Sequence, residues 1–115
     1  MAGALKKTTG LTGLAVAKQP HYVLGVLYNK ILRAIRIMPE HARYRQATES
    51  LITEKLALVE KEKDIAKLEE KLGFQVEESI LQAENELILA RKFLQWKPWE
   101  PLQTPAPPDQ WRWPM

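Results

Sequence analysis

The chain has 115 residues, 45% of them hydrophobic and 27% charged, and its 17 basic side chains outnumber 14 acidic ones for a net charge of +3. That composition supports one domain with a real core and excludes wholesale disorder, and the charge excess is far below that of a dedicated nucleic-acid binder. The absence of cysteine excludes a disulfide framework, a thiolate zinc site and a cysteine nucleophile, and no apolar run approaches the roughly 20 residues of a spanning helix.

Residues 1–19 form a basic arm. It contains Lys6, Lys7 and Lys18, no acid, three glycines and paired threonines. No long apolar stretch follows its first lysines, so it is not a secretory signal. It fits either a matrix-targeting segment or a flexible basic arm.

Residues 20–97 read as a helical domain. Pro20 suits a first helical position, where its missing amide has no intrahelical partner. Leu24, Leu27, Tyr28, Ile31, Ile35 and Met38 then recur on one face, widened by Val23, Val26, Leu32, Ala34 and Ile37. Pro39 ends this helix and opens a second, to about Glu60, with Tyr44, Ala47, Leu51, Ile52, Leu56 and Val59 as its buried positions. Asp64 N-caps a short helix carrying Ile65, Leu68 and Leu72, and Gly73 closes it in the left-handed conformation. In the last helix Val76, Ile80, Ala83, Leu87, Ala90 and Leu94 keep a heptad seam, and Pro98 stops it. Short connections then predict an all-α fold: an antiparallel three-helix bundle with a short extra helix, an extended arm before it and an extended tail after it.

Residues 98–115 form that tail. It carries six of the eight prolines together with Trp99, Trp111 and Trp113, and Trp96 lies just upstream. The stabilisation from burying three tryptophans is comparable with the entropy lost on ordering the tail. The tail is therefore pinned only where its tryptophans find pockets, on the bundle or on another protein. Trp96 and Trp99 are expected on the bundle. Trp111 and Trp113 would project to one side of an extended chain, with Arg112 opposite.

Catalytic chemistry is thin. His21 and His41 each follow a helix-starting proline and read as surface or capping residues. No HExxH, GxSxG, P-loop or GxGxxG motif is present. Glu69, Glu70, Glu77, Glu78, Glu84 and Glu86 read as a solvated charged face, because no histidine lies where a bundle di-metal site would need it. No catalytic, metal-binding or cofactor-binding residue is therefore expected. Lys30, Arg33, Arg36, Arg43 and Arg45 cluster around the first helix junction. An acidic protein surface is their favoured complement; RNA or an anionic membrane is the alternative.

The segments LKKTTGLTGLAVA, LYNKIL, QVEESILQAENELILARK, QWKPWEPL and DQWRWP resemble the alpha subcomplex subunit 5 family, small accessory subunits of mitochondrial NADH:ubiquinone oxidoreductase, respiratory complex I. The likeness runs from Leu5 to Pro114. It implies a three-helix bundle with extended ends, no redox centre and no catalytic residue. It also implies a peripheral place on the matrix side of the inner membrane, on the hydrophilic arm of the complex. There the partners would be the iron–sulfur protein 3 core subunit and alpha subcomplex subunit 10. Leu11, Leu14, Trp99, Trp111, Arg112 and Trp113 are the candidate partner-binding residues. The function expected is support of the assembly; the alternative is a small helical adaptor for RNA or anionic membrane.

Overall fold

A computed structural model describes residues 7–112; the first six residues of the arm and the last three of the tail, Trp113, Pro114 and Met115, lie outside the described residues. The described chain is helical, with α1 at Pro20–Ile35, α2 at Arg43–Lys61, α3 at Ile65–Leu72 and α4 at Val76–Trp96, and it contains no strand.

α1 is the organising helix, packing along both α4 and α2, while α3 bridges α2 and α4. Its wide apolar face explains why. Leu24, Tyr28, Ile31, Leu32 and Ile35 are all buried, which one neighbour could not achieve. Ile52 and Val59 of α2, Leu68 of α3, and Val76, Ala83, Leu87 and Ala90 of α4 complete the core. Ala83 and Ala90 leave room for the close approach of α4 to its neighbour.

The link between α1 and α2 differs from the sequence expectation. α1 stops at Ile35, and α2 starts at Arg43 rather than Pro39. Proline forces the residue before it out of helical angles. The chain instead runs through turns, with Met38 N–H donating to the Ile35 carbonyl at 3.1 Å and Ala42 N–H to that of Pro39 at 3.1 Å. Met38 still plugs the core at 1% exposure, but Ile37 is 73% exposed and does not extend the apolar face. On α2, Ala47 and Leu51 are also exposed, and Thr48 is buried in their place.

The turns around α3 follow their residues. The Asp64 carboxylate accepts from the Ala66 amide at 3.2 Å, as an N-cap should. Gly73 takes φ +82°, where a Cβ would be strained, and its amide closes the helix onto the Glu69 carbonyl at 2.9 Å. Two carboxylates then cover the start of α4: Glu69 accepts from the Val76 amide at 3.0 Å and Glu78 from the Gln75 amide at 3.2 Å.

Candidate interaction surface

The arm lies against the start of α4. Thr9 shapes it: its hydroxyl donates to the Leu14 carbonyl at 2.7 Å and accepts from the Leu11 amide at 3.1 Å. Gly10, next in the chain, takes φ +74° to allow this turn. Two long-range bonds then dock the arm. The Gln75 side-chain amide donates to the Thr9 carbonyl at 2.8 Å, and the Ala17 amide donates to the Glu77 carboxylate at 3.1 Å. Glu77 is only 3% exposed. The expectation that it belongs to a solvated face is therefore corrected: it anchors the arm in the first turn of α4, where a negative charge also suits the helix dipole. Of the two arm candidates, Leu14 is half-buried and lines a shallow pocket with Ile80 and Leu81, whereas Leu11 is 43% exposed.

At the opposite end of α4, aromatic rings tie it to α2. Tyr44 and Phe93 meet edge to face, with centroids 4.5 Å apart and planes at 85°, and Trp96 lies 5.9 Å beyond Phe93. The Tyr44 hydroxyl donates to the Glu86 carboxylate. Burial, then this bond and the nearby negative charge, raises the Tyr44 pKa well above the ordinary phenol value, against a smaller lowering by Thr48. Burial alone pushes Tyr28 up to about 12. Trp99 is half-buried against the core, as expected, but Trp96 is 63% exposed. Trp96 is the last residue of the helix, its ring tilted 57° to that of Phe93.

The tail beyond Trp99 stays out in solvent. Residues 100–112 are exposed throughout, Leu102 to 72% and Trp111 to 90%. It is not a straight strand up to Arg112. The Gln110 amide donates to the Pro107 carbonyl and the Arg112 amide to that of Asp109, each at 3.1 Å. Proline followed by aspartate favours such turns. Arg112 accordingly folds back on Asp109 at 3.5 Å, instead of standing free opposite the tryptophan. Trp113, the remaining candidate, lies outside the described residues.

The basic cluster read from sequence divides. Arg45 donates to the Met38 carbonyl at 2.7 Å and pairs with Glu49 at 3.5 Å, so it fastens the α1–α2 link. His21 is neither a free surface residue nor a cap of its own helix. Its Nε2–H donates to the Glu62 carbonyl at 2.8 Å, clamping the start of α1 to the end of α2. Among the described residues no three histidine, aspartate or glutamate side chains come together to hold a metal. What the arrangement offers is surface: an arm seated on α4 and an apolar tail projecting from it. Sequence reasoning missed the Tyr44–Glu86 and Ala17–Glu77 bonds, because partners 42 and 60 residues apart leave no local pattern.

Comparison with known proteins agrees with a subunit rather than an enzyme. A family signature described as ETC complex I subunit conserved region matches residues 13–79. NADH dehydrogenase (ubiquinone) 1 alpha subcomplex subunit 5 of Bos taurus is 59% identical over 116 aligned residues, covering 100% of both chains. The protein named as the probable equivalent in Caenorhabditis elegans is 52% identical over 96% of this chain and 74% of its own. The probable mitochondrial equivalent in Arabidopsis thaliana is 42% identical over 83% of this chain and 57% of its own. With a family signature over more than half its length and a full-length relative at this identity, the chain belongs to the alpha subcomplex subunit 5 family of respiratory complex I.

Proposed function

We propose that the chain is a non-catalytic accessory subunit that packs on the matrix-facing hydrophilic arm of complex I and supports its assembly or stability. In this reading α1, α2 and α4 are the three-helix bundle, and the arm and tail mounted on it run along neighbouring subunits. The partners are the iron–sulfur protein 3 core subunit and alpha subcomplex subunit 10. Leu11, Trp111, Arg112 and Trp113 are the contact residues, with Leu14 at the arm's seat and Trp99 setting the direction in which the tail leaves.

The carrying observation is the tail of a family member: Trp111 stands 90% exposed on a proline-stiffened segment. A tryptophan there gives the isolated chain no stability. It gives an interface a large, rigid apolar anchor at low entropic cost. The absence of a helix long and apolar enough to cross a membrane, among the described residues, fits attachment through protein contacts.

The test is blue-native electrophoresis of mitochondria with and without the chain, combined with protease protection of inverted and intact inner-membrane vesicles. Co-migration with complex I, matrix-side digestion and loss of assembled complex on depletion are expected. A chain that migrates apart from the complex, or is digested from the opposite side, would contradict the reading.

A further inference from the structure

Between the C-terminal parts of α1 and α4 lies a cleft of about 310 Å³, lined by Lys30, Arg33, Ala34, Ile37, Arg91 and Leu94. Its charge is one-sided for a reason visible in the helices. α1 contains no acidic residue, and α4 contains none after Glu86. Glu86 itself is taken by Tyr44. Lys30, Arg33 and Arg91 are exposed, and none of them makes an ion pair among the described residues. Arg45, Lys71 and Arg112, by contrast, are held by Glu49, Glu62 and Asp109. The floor is apolar, with Ala34 buried and Leu94 half-buried, and Ile37 stands 73% exposed beside it. Arg33 and Ala34, three and four residues after Lys30, share one face of α1 with it, and Ile37 follows in the turn beyond the helix.

We propose that this cleft docks an acidic, amphipathic segment of a neighbouring subunit. Carboxylates of that segment sit against Lys30, Arg33 and Arg91, and one of its apolar side chains rests on the Ala34–Leu94 floor beside Ile37. Charge complementarity selects the partner's sign, and the planar guanidinium groups match carboxylates in a fork geometry. The recess favours protein over bilayer. A membrane surface is flat and would be met by a broad apolar face, whereas Ile37 is the only large exposed apolar side chain lining this cleft. The inference rests on the chain's being a subunit of the assembled complex. It extends that reading to a surface separate from the arm and the tail, and it makes Arg91 a contact residue.

The test is carbodiimide coupling of the intact complex, which joins an amine directly to a carboxylate, followed by mass spectrometry of peptides containing Lys30. Lys30 is expected joined to an aspartate or glutamate of another subunit. Lys30, exposed in the free chain, should be acetylated there by an amine reagent and protected in the complex. Arg33→Glu with Arg91→Glu should lower the coupled fraction about tenfold, since each reversal removes an attraction and adds a repulsion, while leaving thermal unfolding of the free chain unchanged. Lys30 acetylated as readily in the complex as in the free chain would overturn the docking cleft alone. So would sedimentation of the free chain with phosphatidylcholine–cardiolipin vesicles that the double variant loses, which would assign the cleft to a membrane. Absence of the chain from the isolated complex would overturn both this inference and the function on which it rests.

Discussion

Tyr28 and Tyr44 sit where burial opposes the phenolate. Both have folded-state pKa values above the ordinary value of 10.0, Tyr28 reaching about 12. A raised pKa means that the fold favours the protonated form. The contribution to stability is therefore complete below pH 10.0 and is lost as pH climbs toward about 12. Urea unfolding at pH 8 and pH 11 should show a marked alkaline loss that Tyr28→Phe with Tyr44→Phe reduces, because phenylalanine has no proton to lose. An equal alkaline loss in the double variant would place the sensitivity elsewhere. Tyr44→Phe alone, measured near neutral pH, should cost about 1 kcal/mol through the missing bond to Glu86. Glu77 illustrates what sequence does not disclose at this scale. Its neighbours in the chain mark it as one more first-turn acid, and nothing local signals that an arm 60 residues earlier in the chain covers it.

The helices themselves were largely legible. A heptad seam on α4 places Val76, Ala83, Leu87 and Ala90 in the core, and Asp64 and Gly73 bound α3 by the chemistry of capping. The α1–α2 link was not, because a proline says that a helix stops without saying how many residues the turn then takes. Two expected outcomes belong to this scale. Leu87→Ala, at a site 6% exposed in the seam, should destabilise the chain by about 2–5 kcal/mol in denaturant unfolding. A change below about 0.5 kcal/mol would mean that the seam faces solvent or a partner instead of the core, since even full collapse of the cavity leaves the lost transfer free energy. Glu77→Ala should release the arm from α4 at a cost of roughly 1–3 kcal/mol, since the hydrogen bond it loses is charge-assisted. Faster hydrogen exchange at the Ala17 amide, without faster exchange in the middle of α1, is the signature. Unchanged exchange at Ala17 would show that the arm is held without this carboxylate.

The molecule as a whole is long, 61 × 34 × 21 Å, with a radius of gyration of 18.5 Å. A compact domain of about 100 residues would have a radius near 13 Å. The excess reflects chain that projects from the helices instead of folding onto them. An isolated protein gains nothing from keeping Leu102 and Trp111 in water; a subunit whose neighbours cover them does. The tail's position is therefore the point at which fold and function meet, and its tryptophans distinguish the two. Trp111→Ala with Trp113→Ala should leave unfolding of the free chain within about 1 kcal/mol of the unmodified protein, because the exposed Trp111 holds no core in place. The most direct measurement is the yield of this double variant in assembled complex I, in mitochondria lacking the unmodified chain. The account predicts a marked fall in incorporation with the free chain's stability intact; full incorporation would contradict it.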